Sequence, residues 1–348
     1  MGLLQIFNMI ETFILELDKE ITLEELNNAI SKLKLEKSAG HDLLVNEFVI
    51  YAPDHVKNVL LSIFNKILEL EHFPSVWAKG NIVPIFKSGD SKNTNNYRGI
   101  TLLSCVGKLF TRIINDRLSE WAERNSIITE AQLGFRKGRG TVDCLFILNG
   151  LIQLMLNKGK KLYCCFIDYE KAFDYIDRAA LWSKLLKEKV SSKIIRLLTN
   201  MYSKIELTVK GDDRIFNSSC GLLQGESTSP ILFSLYINDL ENNMNDDWSG
   251  TKIQECVIKL LMFADDTAIF SETAKGLQKA IDNLDDYCLK WGITVNVRKT
   301  KVVVFRKPCK LAAGDKWVYR GNEIEIVSVF KYLGCYLSSS GSFSINTK

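Results

Sequence analysis

Histidine is nearly missing from this chain: three occur in 348 residues (His41, His55 and His72), far in sequence from nine cysteines scattered between Cys105 and Cys335. No Cys/His spacing suits a zinc module. Scattered thiols in apolar segments read instead as buried, free cysteines of a reducing, intracellular compartment, cytoplasm or nucleus, rather than a disulfide framework. No apolar run is long enough for a membrane span, and Glu11, Glu16, Asp18, Lys19 and Glu20 interrupt the partly apolar start. Neither a basic leader region nor a cleavage site follows, and Met1-Gly2-Leu3-Leu4-Gln5-Ile6 lacks the Ser or Thr of a myristoylation site. No membrane partner is expected. Internal repeats, low-complexity tracts and linkers are also missing, so the chain reads as one composite domain. The net charge of +4 is bland, but residues 79 to 139 hold eleven Lys or Arg against five Asp or Glu. A basic region beside an acidic site suggests a polyanion partner, although solvated helix faces give similar counts.

What is present is a pair of carboxylates in apolar company: Phe263-Ala264-Asp265-Asp266, with Leu260 to Met262 before it and Ala268 to Phe270 after. Two carboxylates about 4 Å apart repel by roughly 4 kcal/mol at an effective dielectric of 20, and desolvation adds to that cost. The pattern reads as a tight hairpin holding both at its tip, and a divalent cation is the natural partner. Asp168 lies 97 positions earlier, at the end of the apolar run Leu162 to Ile167. There it can project beside the hairpin tip and complete a three-carboxylate platform for two-metal nucleotidyl transfer. The bland alternatives are that Asp168 caps a helix and that the pair is only a turn. A second acidic pair, Asp212-Asp213, is flanked by Lys210 and Arg214 and reads as a neutralised, solvated hairpin turn.

Elsewhere, Thr22-x-x-Glu25 predicts a capping box opening a helix over 21–37, and a second helix follows Pro53. Residues 81 to 86 predict an edge strand interrupted by Pro84, and 87 to 96 a polar loop. Helices are expected from Val106 to Trp121, from Gly140 to about Asn157, after Asp168, and over roughly 178 to 203. A hairpin is expected over 205 to 220, and Ser229-Pro230 reads as the N-cap and first residue of an amphipathic helix to about Met244. A helix over 273 to 291 ended by Gly292 and a strand Val302 to Phe305 follow. From 162 onward the order fits a ferredoxin-like βαββαβ sheet with helices on one face.

Several blocks stand in a fixed order: NIVPIFKSGD (81–90), NYRGITLLSCVGKLF (96–110), QLGFRKGRGTVD (132–143), CFIDYEKAFD (165–174), GLLQGESTSPILFSLYINDL (221–240), FADD (263–266), WGITVNVRKTK (291–301) and FKYLGCYLSSSG (330–341). Together they resemble the reverse transcriptase domain of LINE-type non-LTR retrotransposons, from about residue 18 to 342. The resemblance implies an α+β right-hand polymerase: an N-terminal helical extension (1–80), fingers (81–160) and palm (161–345) in one composite domain, with the thumb largely missing.

It implies an RNA-directed DNA polymerase working with RNA template, DNA primer, dNTPs and two Mg²⁺ ions, Mn²⁺ being a possible substitute. Asp168, Asp265 and Asp266 would be the catalytic metal ligands, and Tyr169 would lend its backbone carbonyl. Phe173 would be the gate that rejects a 2′-hydroxyl; its bland reading is a core Phe on the following helix. Lys87 and Arg98 would reach the triphosphate. Arg136, Lys137 and Arg139, spaced by glycines, would contact phosphate or template backbone, unless they form only a solvated basic loop. Gln224 and Gly225 would line the nascent base pair. Lys299 would be a proton donor to pyrophosphate, with Lys301 a nearby competitor.

Three departures from the family pattern stand out. Glu226 lies where the family commonly has Cys and is expected to weaken binding of an anionic substrate. Leu43 replaces a glycine in the Gly40-His41-Asp42 turn, and the chain ends shortly after its final block without thumb, endonuclease or zinc knuckle. The alternatives are therefore a catalytically weak, nucleic-acid-binding fragment of a truncated element, a group II intron-type maturase, or a viral-type RNA polymerase.

Overall fold

The computed structural model describes residues 16–244, 250–253, 256–307 and 314–342. In chain order the helices are α1 (Leu23–Ser31), α2 (Asn46–Ile50), α3 (Asp54–Leu70), α4 (Cys105–Arg124), α5 (Thr141–Asn157), α6 (Arg178–Lys187), α7 (Ser192–Ser203), α8 (Ser229–Tyr236) and α9 (Ala274–Trp291). The strands are β1 (Lys79–Phe86), β2 (Tyr97–Leu102), β3 (Leu162–Ile167), β4 (Glu206–Val209), β5 (Asp212–Asn217), β6 (Thr251–Ile253), β7 (Cys256–Ile258), β8 (Leu260–Phe263), β9 (Asp266–Ser271), β10 (Lys301–Phe305), β11 (Trp317–Tyr319), β12 (Asn322–Ile326), β13 (Val329–Tyr332) and β14 (Cys335–Ser338). None of the described helices is long and apolar enough to cross a membrane.

Two compact units interleave along the chain. One gathers residues up to Ile127 with Ile176–Phe233, and the other Ile128–Tyr175 with everything from Ser234 on. These divisions differ from the breaks near 80 and 160 drawn from sequence.

The first unit holds a four-stranded sheet of order β2-β1-β4-β5. β1 pairs with β2 along Asn81 to Phe86, and with β4 only along Lys79 to Ile82. It is thus an interior strand that becomes an edge just where Pro84, which has no N–H to donate, sits. The expected edge strand is therefore corrected for its first half. The capping box forms as predicted: the Thr22 hydroxyl accepts from the Glu25 N–H, and Glu25 accepts from the Thr22 N–H. The helix behind it stops at Ser31, short of 37. Arg117, only 10% exposed, ties it down, donating to Glu25 and to the Leu17, Lys19 and Glu20 carbonyls.

The turn at Gly40 forms despite its departure from pattern. Leu43 takes the left-handed conformation itself, φ 59°, and Asp42 Oδ1 accepts from the Leu44 N–H at 3.2 Å. Gly40 is required by a close approach, since a Cβ there would lie 2.4 Å from the Leu103 backbone.

The second unit holds a six-stranded sheet of order β11-β12-β10-β3-β9-β8. Four consecutive members, β10-β3-β9-β8, with β8 at the edge, are the ferredoxin-like βαββαβ arrangement. β11 and β12 extend it through a parallel β10–β12 pairing. All six residues of β3 are buried, because both faces are covered. Leu162, Cys164 and Phe166 share a core with Leu148, Ile152 and Met155 of α5 and with Tyr332 and Leu337 of the β13–β14 ribbon. Tyr163 points the other way and packs on Trp317, whose Nε1 donates to the Ala274 carbonyl at the start of α9. α5, which precedes the elements from 162 onward, covers the face opposite α9.

Two further elements differ from expectation. α8 ends at Tyr236, continues as a 3-10 turn over Asn238–Asn243, and is buried nearly all round rather than amphipathic. Residues 171 to 175, expected to be helical, are turns.

Candidate active site

β8 and β9 are joined by a two-residue turn, Ala264-Asp265, closed by the pair Phe263↔Asp266. Ala264 has φ 59°, as the first position of a tight hairpin turn of this kind demands. The apolar strands to either side, with Leu261, Met262, Ala268 and Ile269 all buried, anchor the hairpin and leave the two carboxylates at its tip. β3 pairs antiparallel with β9 up to Ile167↔Thr267. Carrying that register one step further sets Asp168 opposite Asp266, on the face shared with Phe166. The sheet therefore sets Asp168 beside Asp266, with Asp265 next in the turn.

Asp168 is fixed at its backbone. Its N–H donates to Thr300 Oγ1 at 3.1 Å, and its carbonyl accepts from the Asn296 N–H at 2.7 Å. The Glu170 N–H donates to the Thr294 carbonyl, and this bridge leaves the Tyr169 carbonyl out of the pairing. The Tyr169 side chain is buried. Lys299 Nζ lies 3.9 Å from Asp168 Oδ2, whereas Lys301 Nζ pairs with Glu325 at 3.0 Å. Of the two lysines, Lys299 faces the acidic cluster.

Partial burial, then Asp265, then Asp168 push the Asp266 carboxyl up to about 6 from an ordinary 3.8. The residue's outer surface remains exposed, so crowding by like charge contributes beside incomplete desolvation. Among the described residues, no three His, Cys, Asp or Glu side chains converge closely enough to form a finished metal cage. The donor set nevertheless suits a hard cation: carboxylate oxygens whose mutual repulsion a divalent ion would relieve. In chemistry and charge these residues fit a hard divalent cation.

Phe173 is half-buried and meets Phe135 edge-on, ring centroids 6.4 Å apart at 83°. The expected trio of basic residues divides. Arg136 is an internal brace: its side chain is 6% exposed and donates to the Thr129 and Gln132 carbonyls and to Glu130. That placement does not fit a phosphate-contacting role. Arg139 also pairs with Glu130, at 2.9 Å, but stays 42% exposed, and Lys137 is exposed. Sequence reading missed Gln132, which is fully buried and holds the acidic turn, and Phe135, whose aromatic character was the only available signal.

The remaining predicted residues belong to the first unit. Lys87 follows β1, its N–H donating to the Asn96 carbonyl, and Arg98 pairs across with Ile85. That register puts Lys87 and Arg98 on one face of the hairpin, at its loop end, both exposed. The Gln224 carbonyl accepts from the Thr101 N–H at 2.8 Å. Gly225 is required beside it: φ is +117°, and a Cβ would lie 2.7 Å from the Thr101 carbonyl oxygen. Glu226, expected to weaken binding of an anionic substrate, does not present its side chain to solvent. It is 6% exposed, and one oxygen accepts from the Thr228 N–H at 2.6 Å, so its charge is turned into the fold. Asp212 is held by Arg214, which keeps its carboxyl below the usual range, in line with a neutralised turn; the Asp213 side chain lies outside the described set.

Residues 87–337 match the family model described as reverse transcriptase (RNA-dependent DNA polymerase). The chain is 28% identical over 333 residues to the RNA-directed DNA polymerase from mobile element jockey of Drosophila funebris, covering 93% of this chain and 36% of that protein. It is 29% identical to the probable RNA-directed DNA polymerase from transposon BS of Drosophila melanogaster, covering 95% and 37%. This chain thus spans little more than a third of the length of those relatives. Among solved structures, apo telomerase from Candida Tropicalis truncated from its C-terminal domain superposes with a TM-score of 0.54 at 14% identity, covering 84% of this chain and 65% of that one. That likeness concerns the fold, a fingers-and-palm α+β architecture. With the family model covering most of its length, the chain belongs to the reverse transcriptase (RNA-dependent DNA polymerase) family and is similar nearly throughout to LINE-type, non-LTR retrotransposon members.

Proposed function

We propose that this chain is the fingers and palm of an RNA-directed DNA polymerase that extends a primer 3′-hydroxyl with dNTPs on an RNA template, within a cycle of target-primed reverse transcription. Its helical extension would be residues 1–80, its fingers 81–160 and its palm 161–345. The observation that carries the reading is the register of β3 on β9, which sets Asp168 opposite Asp266, next to Asp265 in the turn, and the raised Asp266 carboxyl that goes with it. Asp168, Asp265 and Asp266 would hold two Mg²⁺, with Mn²⁺ an alternative and the Tyr169 carbonyl assisting. Bound there, the ions would activate the primer hydroxyl and stabilise the leaving pyrophosphate.

The other residues follow from their placement. Lys299, beside Asp168, is suited to donate a proton to pyrophosphate. Phe173, backed by Phe135, would reject a 2′-hydroxyl. Lys87 and Arg98 offer two cations on one hairpin face, the chemistry that binds a triphosphate. Gln224 and Gly225 would line the nascent base pair, and Lys137 and Arg139 would contact nucleic-acid backbone. A reducing compartment, cytoplasm or nucleus, would suit the free buried thiols Cys144, Cys164, Cys165 and Cys288.

A weak nucleic-acid-binding fragment is the second reading, favoured by the unfinished metal cage among the described residues. Primer extension on an RNA template separates the two. Asp265→Asn should lower the rate by about 10³-fold or more, as loss of a metal-ligating charge at the reacting centre does. Equal signal from both proteins would sink the enzymatic reading.

A further inference from the structure

The turn that carries Asp265 and Asp266 holds a residue in a conformation that residues with a Cβ rarely adopt. Its first residue, Ala264, adopts φ 59°, a conformation in which a Cβ crowds the following carbonyl. The closing pair Phe263↔Asp266 requires that conformation of Ala264 but adds no partner for the Ala264 peptide groups themselves.

A strap from far earlier in the sequence supplies those partners. Residues 131 to 133 run alongside β8: the Met262 N–H donates to the Ala131 carbonyl and the Leu133 N–H to the Met262 carbonyl, both at 2.8 Å. Between them Gln132 is fully buried. Its Oε1 accepts from the Ala264 N–H at 3.1 Å and from the Gly134 N–H at 2.8 Å, while its Nε2 donates to the Ala264 carbonyl at 3.3 Å. The amide thus grips the peptide groups on both sides of Ala264. Gly134 closes the turn from behind, since a Cβ there would lie 2.1 Å from the Ala264 nitrogen. Arg136 in turn holds the Gln132 carbonyl at 3.1 Å.

We propose that Gln132 is the positioning residue of the acidic turn, fixing the Ala264 peptides so that Asp265 and Asp266 leave the turn toward Asp168. The inference rests on the reading of those three carboxylates as metal ligands. Gln132 touches neither substrate nor metal; it acts through Ala264, as partners behind a metal's direct ligands do elsewhere.

The test compares Mn²⁺ binding to the full chain, followed by electron paramagnetic resonance, with steady-state primer extension. Gln132→Met keeps length and bulk and removes the polar ends. It should raise the half-saturating Mn²⁺ concentration by about tenfold and lower kcat by a similar factor, with the KM for nucleotide within about threefold of wild type. Gln132→Glu retains the acceptor for both N–H groups and should restore Mn²⁺ binding to within about threefold of wild type, a rescue that a mere packing role would not give. Should Gln132→Met fail to show a single cooperative thermal transition, Gly134→Ala, which pushes on the same turn from the other side, serves in its place with the same expected weakening. Wild-type Mn²⁺ affinity in a folded Gln132→Met or Gly134→Ala chain would overturn the positioning role alone. Absence of Mn²⁺ binding by the wild-type chain would overturn the metal reading and this inference together.

Discussion

Asp266, raised to about 6 by partial burial, Asp265 and Asp168, sets how the site answers to pH. Below 3.8 the carboxyl is neutral in folded and unfolded chains alike, and contributes nothing to stability differences. Between 3.8 and 6 the unfolded chain ionises first, so the metal-free fold loses stability as pH rises, completely so above about 6. Asp266→Asn should therefore raise the melting temperature in EDTA at pH 8, by about 2 °C once solvent screening is allowed for, and leave it unchanged at pH 3.5. Divalent-ion binding needs the charged form and should strengthen from pH 5 to pH 7, then level off. Titrating Mn²⁺ across that range checks the sign.

The contact between Phe135 and Phe173 makes a second residue-scale prediction, conditional on Phe173 acting as the gate. Phe135→Ala leaves Phe173 room to yield. Ribonucleotide incorporation relative to deoxynucleotide should rise by about tenfold, since discrimination by one packed contact amounts to about 1–3 kcal/mol. An unchanged ratio would remove Phe135 from specificity. At this scale the sequence was uneven. It named Asp168, Asp265 and Asp266 because charge in apolar company is costly, and it named Lys299 with Lys301 as a nearby competitor, but it could not see that Arg136 points inward and that Glu226 is folded away.

At the scale of elements, local rules foresaw most boundaries. Thr22 and Glu25 made their capping box, Gly292 took the left-handed position that ends α9 at φ 67°, and Pro84 lies where β1 loses its second neighbour. The rules did not reach the strain at Ala264, since an Ala between a Phe and an Asp carries no turn signature. Glycine tolerates that conformation but costs more order on folding, so Ala264→Gly should raise stability to urea by a net of about 0.5–1 kcal/mol. Destabilisation of similar size would show that the strap leaves no strain at that residue.

At the scale of the whole molecule, chain order and spatial order part company. The sheet of the first unit takes β1 and β2 from residues before 103 and β4 and β5 from residues after 205. Residues 1–127 alone should therefore fail to give protected strand amides on hydrogen exchange, because β1 would lose its parallel partner β4. Protection equal to that in the full chain would show that the β1–β2 hairpin and its helices suffice.

The sequence by itself determined the longer helices, the strands β3, β8, β9 and β10, the acidic hairpin and, through ordered motifs, the family. These depend on periodicity, capping and turn chemistry, which act over a few residues. Only tertiary structure decided which lysine faces Asp168, which arginine is a brace, and that Gln132 grips a turn 132 positions away. Such pairings follow from strand register and from how the two units draw on alternate stretches of chain. A buried amide has no local signature of the peptide group it will meet.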